Sequence, residues 1–550
     1  MTRLALSEAR SDDAVRRRKL RWAQLKQARL PWEPLWRDIS DYILPRRNQG
    51  ALEVPGALNP RRMVDTTGST ANDRFAATLL GYLVSGFDEF MKPRLNEREP
   101  TYEESVWLDQ VSRKMFLTLT SAKSNFRTQL AEGMVDSVAF GTSVMWTGAR
   151  AKEGPRYLAV PINDCWIDDN PDTGQCDTLA RRFSRRAWEV KEKYPDVPKI
   201  DKIAEDDPNR EMFFVELIEP RKGGRAGKPV NRKPWSTVTF LDDETCFAVA
   251  ASGYDEFPYA VSRFQRLSGQ PYGYGPGVMA LPMIKGLNVL VESFILQSEQ
   301  AADPALIDMT GGALSELDTR PGSLNALDAS IWRQYSNAPT MRVYEPGDLG
   351  PIMQLIEYMR TQVEVIYFVD WLRHGGGPQQ TATEWADRRD QTLRGLGPAV
   401  ARLEQESLNP VAERTYTLMQ RAGEFGPPPE SLVGLNLSFE YKSPIATTQR
   451  QVAVEGLMRL LEFTRGAVAV EAEAKQSQSA AGGALNLPSI VRAAGQAYGV
   501  SPSLLTDPRV IAANKAEAES AAQLNQALEQ AGAAAGAAQQ ASQALSTGAL

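Results

Sequence analysis

Histidine is almost missing from this 550-residue chain, which has one, His374. Acid–base triads and catalytic zinc sites draw heavily on imidazole. His374 lies in Arg373-His374-Gly375-Gly376-Gly377-Pro378, a glycine-rich loop on which an orientation-critical base would be poorly held. Cysteine is scarce too: Cys165, Cys176 and Cys246 alone can build neither a disulfide framework nor a four-ligand zinc site, and they suit a reducing compartment. No run of 18 consecutive apolar residues occurs, and the start Met1-Thr2-Arg3-Leu4-Ala5-Leu6-Ser7-Glu8 has no signal-peptide core. A soluble intracellular product with no membrane association is the expectation. Neither charge sign dominates, because 62 Lys and Arg face 68 Asp and Glu for a net −6. That balance argues against a broad basic face for nucleic acid, so any DNA contact should be local.

What is present reads as globular, with 42% hydrophobic and 24% charged residues. The length is a prior for about three or four domains. Several enzyme-like motifs fail on their chemistry. Gly223-Gly224-Arg225-Ala226-Gly227-Lys228-Pro229 is one residue short of a phosphate loop and has Pro229 where a magnesium-holding hydroxyl belongs. Gly273-Tyr274-Gly275-Pro276-Gly277 lacks the third glycine of a dinucleotide fingerprint, and Pro276 is better placed as the first residue of a helix. Asp168, Asn170 and Asp172 mimic the start of a calcium loop, but Thr173 and Leu179 stand where glycine and a bidentate Glu are required. Pro171-Asp172-Thr173-Gly174 reads instead as a turn between strands. Asp242-Asp243-Glu244, weighed as metal ligands, reads as a hairpin tip. No cofactor, metal or catalytic group is expected, and the chain does not read as an enzyme.

Periodicity divides the chain. Ser11-Asp12-Asp13 caps a helix bearing Arg16, Arg17, Arg18, Lys19 and Arg21, a charge run read as a solvated face, with Val15, Trp22 and Leu25 opposite. Trp32, Leu35, Trp36, Ile39 and Ile43 mark a second helix, and residues 66–92 and 101–140 read as further amphipathic helices. Seven short strands follow from Gly141 to Ala250, interrupted by a helix around Trp188. Arg221 to Lys233 is a basic loop without an acid. A strong helix from Pro276 to about Ala301 and another from Pro351 to about Arg373 bracket an acidic insertion at 302–350. A third, from Thr383-Glu384 to about Gly423, should kink at Gly397-Pro398 and again at Pro410. Val433 to Tyr441 reads as a strand. The last 38 residues are rich in alanine and glutamine and cannot bury a core alone.

Three blocks then carry a resemblance. They are Tyr272-Gly273-Tyr274-Gly275-Pro276-Gly277 through Ala280-Leu281-Pro282 and Ile284-Lys285-Gly286-Leu287-Asn288 to Ala302-Asp303-Pro304; Thr381-Ala382-Thr383-Glu384 with Leu396-Gly397-Pro398 and Arg402-Leu403; and Ser443-Pro444-Ile445-Ala446 with Gln449-Arg450. In order and spacing the chain resembles the head-to-tail connector, or portal, proteins of short-tailed bacteriophages of the T7-like type. Weaker similarity extends through most of residues 10–510.

The resemblance implies an α+β, predominantly helical portal fold of wing, stem, clip and crown, assembling as a ring of about twelve subunits around a central channel. On this sequence, 1–275 would be wing, 276–301 the first stem helix, 302–350 the clip and 351–373 the second stem helix. A channel loop at 374–383, wing again at 384–447, crown helices at 448–512 and a tail at 513–550 would follow. Implied partners are double-stranded DNA bound without base readout, the terminase large subunit, tail adaptor and tail proteins, and major capsid and scaffolding proteins. The implied place is a capsid vertex of the virion, assembled in the host cytoplasm. A conduit for moving DNA should carry few basic rings, because each lysine is multiplied by the subunit number. The residues expected to graze DNA are Lys285, Arg373, His374, Gly375, Gly376, Gly377, Gln379 and Gln380. Those expected on the clip's docking surface are Asp308, Glu316, Asp318, Arg320, Asp328 and Arg333. The competing expectation is a helical adaptor or scaffold that forms no channel.

Overall fold

The structure is a computed structural model. It describes residues 9–45, 63–84, 90–150 except 97, 154–221 except 195–196, 233–308 except 304, 318–326 except 319, 348–369, 395–432 and 437–441, with scattered positions beyond 509. The chain divides into two compact units. Met1–Asp88 with Leu117–Ala422 form the first, and Glu89–Phe116 with Gly423–Leu550 the second.

The first unit opens with α1 (Asp12–Arg29), whose Ser11 hydroxyl accepts the Ala14 N–H as an N-cap. Then come α2 (Glu33–Tyr42) and α3 (Thr67–Leu83). In the second unit, β1 (Met91–Leu95) pairs antiparallel with β12 (Leu437–Tyr441). The spacing had suggested helix through residue 92, but the helix ends at Leu83 and Met91–Leu95 pair as a strand, with Pro93 opposite Phe439. Helix α4 (Tyr102–Thr120) is separated from α5 (Phe126–Phe140) by a turn in which Asn125 has φ 63°, so the run expected over 101–140 is two helices.

From Gly141 the chain is strands, as the change of period indicates. A three-stranded sheet has the order β3 (Gly154–Val160), β2 (Thr142–Arg150), β9 (Tyr259–Arg263). A five-stranded antiparallel meander runs β4 (Cys165–Asp169), β5 (Cys176–Arg186), β6 (Glu211–Pro220), β7 (Trp235–Leu241), β8 (Ala248–Tyr254). Between β5 and β6 lie α6 (Ala187–Lys193) and α7 (Pro198–Asp206). Both turns read from the sequence hold. Asn170 accepts the Gly174 N–H between β4 and β5, and Asp243 accepts the Thr245 and Cys246 N–H groups at the β7–β8 tip.

Side chains alternate across the meander, so each face takes its own helical cover. Trp22 and Leu25 of α1 pack on Trp166, Ala180, Val215, Leu217, Phe240 and Cys246. Ala187, Val190, Tyr194, Val197, Ile200 and Ala204 of the α6–α7 layer pack on Met212, Phe214, Leu241, Val249 and Ala250 of the opposite face. The charge run on α1 is only partly the solvated face expected. Arg18 is buried and donates to the carbonyls of Cys246 and Ala9, and Arg29 is buried against the carbonyls of Ile162, Asn163 and Cys165. These arginines supply buried donors to carbonyls just before α1, in the turn leading into β4 and just before β8.

The long C-terminal helices of this unit are α8 (Pro276–Ala302) and α9 (Gly350–Ile366), which pack on each other, with the short parallel pair β10 (Leu306–Asp308) and β11 (Leu324–Ala326) between them in sequence. Helix α9 ends seven residues short of Arg373. Phe368, φ 54°, holds the left-handed position usually given to glycine, while Val369 N–H reaches the Glu364 carbonyl and Phe368 N–H that of Val365. This is a Schellman stop. The Phe368 ring lies 5.6 Å from that of Phe75, which offsets the backbone cost. Helical residues 395–403 lead into a π turn, Glu404–Leu408, and α10 (Asn409–Arg421). A kink was expected at Pro410; the irregularity found there is this π turn, since the proline ring excludes an ordinary i−4 carbonyl and the added residue accommodates it. The α+β class holds.

Candidate functional site

Among the described residues no group of three or more His, Cys, Asp or Glu could hold a metal ion. Burial pushes the Cys165 thiol up to about 12 and raises those of Cys176 and Cys246, which disfavours the thiolate at each. The glycine-rich motif before α8 has a packing origin. A Cβ on Gly275 would press into the Ser137 and Val138 carbonyl oxygens at the end of α5, and one on Gly141, φ 84°, would press into Tyr274. The glycines let two backbones touch, and Pro276 starts α8 as the sequence suggests.

The features that stand out are the α8–α9 pair and the polar nodes that fix it. Leu287 and Val291 of α8 meet Ile356 of α9, flanked by Leu290, Phe294, Ile352 and Met359. A second set of apolar side chains on the same helices faces solvent: Met279, Val289, Ile295 and Leu296 on α8, and Met353, Leu355, Tyr358 and Val365 on α9. Val289 is 62% and Tyr358 60% exposed, far more than a core-facing stripe would be. Helix α8 is long and apolar enough by composition to cross a membrane, yet only a third of its most apolar window is buried.

Two nodes hold this pair in the first unit. Lys285 Nζ lies 2.6 Å from Asp38 Oδ2 and sits 5.6 Å from the Tyr42 ring centre. Asn288 Oδ1 accepts the N–H groups of Val64 and Asp65 at 2.7 and 2.9 Å. Asp65, buried, receives Arg360 Nε and Nη2 at 3.0 and 2.8 Å and the Thr67 N–H at 2.8 Å. Burial opposes ionisation of Asp65, but the hydrogen bonds from Thr67 and Arg360 win and hold its carboxyl below the ordinary value.

A third node lies at β9. Arg263 is 1% exposed. It takes both oxygens of Asp169 at 2.8 and 2.9 Å, and its backbone N–H, Nε and Nη2 donate to Glu406 at 2.9, 3.0 and 3.0 Å. Arg266 adds a 2.7 Å contact to Asp169. Burial pushes the Asp169 carboxyl up, and the two guanidiniums work against that push. The π turn supplies Glu406, so a backbone irregularity places one half of a buried ion pair.

Of the residues expected to meet DNA, only Lys285 is described, and its charge is spent on Asp38; Arg373, His374, Gly375, Gly376, Gly377, Gln379 and Gln380 lie outside the described residues. Of the docking set, Glu316, Asp328 and Arg333 also lie outside them, and Asp308 ends β10. Asp318 and Arg320 pair with each other, and the bonds from Arg320 lower the Asp318 carboxyl to about 2. Most of the loop 221–233, the crown region 448–512 and most of the tail are likewise outside. Arg263, Asp169, Glu406, Asp65 and Arg360 were not singled out by sequence reasoning. Arg263 had one signal: an arginine two residues beyond the apolar run Tyr259-Ala260-Val261, in the same strand, must find a carboxylate if buried.

With this architecture in place, the comparisons with known proteins are specific. The family described as bacteriophage head to tail connecting protein matches residues 16–505, and the chain belongs to that family. It is 28% identical over 465 residues to the "Probable portal protein" of Bordetella phage BPP-1, covering 80% of this chain and 81% of the other. It is 25% identical over 527 residues to the "Portal protein" of Salmonella phage epsilon15, covering 92% and 91%. A chain from the "Neck of empty GTA particle computed with C6 symmetry" is a loose structural likeness, with TM-score 0.34 and 10% identity over 70% of this chain and 84% of that one.

Proposed function

We propose that this phage portal chain assembles as a closed ring of about twelve copies at one capsid vertex, around a channel through which double-stranded DNA is packaged, retained and later ejected. Its role is structural rather than catalytic. In this reading residues 276–301 and 351–373, which include most of α8 and α9, are the stem, 302–350 the clip, 374–383 a loop at the channel, and 1–275 and 384–447 the wing. The observation that carries the reading is the second apolar face of the α8–α9 pair. One seam joins the two helices, and the other, from Val289 and Leu296 to Leu355 and Tyr358, is left for a neighbouring copy.

Charge supports the conduit. The cations of these two helices, Lys285 and Arg360, are both bound to carboxylates, while Glu292, Glu299 and Glu357 are exposed. A stem with spent cations offers passing phosphates little to hold, whereas unpaired lysines repeated around a ring would grip them. The remaining DNA contacts are assigned to Arg373, His374, Gln379 and Gln380, without base readout. The clip, through Asp308, Glu316, Asp318, Arg320, Asp328 and Arg333, is assigned to docking the terminase large subunit during filling and tail proteins afterwards. Capsid and scaffolding proteins would meet the rest of the ring, which would form in the host cytoplasm.

The test is Val289→Asp combined with Tyr358→Asp. The reading expects the variant to remain folded, with an unfolding midpoint near wild type, and to stay monomeric at concentrations where wild type forms rings. Rings of normal size from this variant would remove the stem assignment.

A further inference from the structure

The five-stranded meander is a three-layer module with oppositely charged covers. Helix α1 lies on one face through Trp22 and Leu25, and the α6–α7 layer lies on the other. Residues 9–30 hold eight basic and two acidic side chains, and Arg16, Arg17, Lys19 and Lys26 are exposed. Residues 187–211 hold eight acidic and five basic ones; Glu192, Glu205, Asp206, Asp207 and Glu211 are exposed, against exposed Lys191, Lys193 and Arg210, with Lys191 paired to Glu205 at 3.2 Å, so the layer keeps a net acidic surface centred on Asp206 and Asp207. Each outer surface also shows a large apolar residue among its charges. On α1 this is Leu20, 58% exposed, and on α6 it is Trp188, 45% exposed. The Trp188 N–H donates to the Pro208 carbonyl at 3.1 Å, which sets it beside the turn carrying Asp206 and Asp207.

We propose that the basic α1 surface of one copy docks on the acidic α6–α7 surface of a second copy, with Leu20 and Trp188 as apolar anchors. The pairing rests on the ring reading above and gives it a second contact, away from α8 and α9. A two-fold dimer would set each patch against itself, basic on basic, which like charges oppose. Complementary patches on opposite faces of one module instead specify a head-to-tail contact, the kind that closes into a ring. Exposed Trp and Leu inside charged borders match the anatomy of protein interfaces, where an aromatic anchor carries affinity and the charged rim sets the partner.

The experiment is charge exchange in the full chain, read by native mass spectrometry over a concentration series. One variant carries Arg16→Glu, Arg17→Glu and Lys19→Glu, a second carries Glu205→Lys, Asp206→Lys and Asp207→Lys, and a third carries all six. Each triple variant should raise the concentration at half assembly by about tenfold or more, and the six-fold variant should recover to within about threefold of wild type. Recovery separates the pairing from damage to folding. In wild-type rings mixed from isotopically light and heavy copies, a zero-length carbodiimide should also join Lys19 to Glu205 or Asp206 across light and heavy chains. If wild type forms rings and both triple variants assemble as it does, the pairing is wrong and the ring reading stands. Loss in the triple variants without recovery in the six-fold one also overturns the pairing. If wild type forms no ring under any condition, the ring reading fails and this inference with it.

Discussion

Arg263 and Glu406, 143 positions apart, meet through three hydrogen bonds at 2.9, 3.0 and 3.0 Å, one from the Arg263 backbone and two from its guanidinium. The contact joins the end of β9 to the π turn before α10, and Asp169 closes the other side of the guanidinium. Three segments distant in sequence thus converge on one buried cation.

Removing one member leaves the others charged and buried. Arg263→Met should destabilise the first unit by about 3–5 kcal/mol, because Asp169 and Glu406 would then lack their main partner. Glu406→Gln, which keeps one acceptor, should cost less. Chemical denaturation of the two variants beside wild type measures the difference, and equal stability of all three would remove the node from the account.

Gly275→Ala should prevent normal folding of the α5–α8 junction, since the added methyl would overlap the Ser137 and Val138 carbonyl oxygens, which are backbone atoms and cannot rotate away. The expected result is insoluble or protease-sensitive protein. Gly395→Ala, where a Cβ meets nothing within 4 Å, is the control and should be tolerated.

In the second unit the Glu104 carboxylate is buried and takes Arg98 at 2.5 and 2.7 Å, the Thr101 N–H at 2.7 Å and the Ser431 hydroxyl. The hydrogen bonds from Arg98, ahead of the opposing effect of burial, hold this carboxyl far below its ordinary 4.5. A depressed carboxyl stabilises the fold fully above its unfolded value and loses that contribution as pH falls toward the folded one. Stability should therefore decline below about pH 4.5, and Glu104→Gln should flatten this part of the profile while lowering stability at neutral pH. Thermal unfolding from pH 7 to pH 3 in both proteins checks the sign.

Much of the fold could be read from the sequence because periodicity and turn chemistry are local. The strands of the meander, the turns at Gly174 and Asp243, and α8 with Pro276 at its start all carry their signals within a few residues. What could not be read depends on distant partners. The end of α9 was missed because Tyr367 to Arg373 contains neither glycine nor proline, and the stop at Phe368 relies on Phe75. Strand β1 was missed because its partner lies 342 to 350 positions on, in β12. The burial of Arg18 and Arg29 follows from carbonyls just before β8 and at the entry to β4 that no pattern in α1 announces. The polar nodes were hidden for the same reason, since Asp65 and Arg360 look like ordinary surface residues until Asn288 and Thr67 are set beside them.

The mass and shape of the purified chain test the central claim most directly, by native mass spectrometry with negative-stain imaging of the same sample. The account predicts a closed ring of about twelve copies with an open axial hole. A monomer, a dimer or a solid particle that adding scaffolding and capsid proteins leaves unchanged would contradict it.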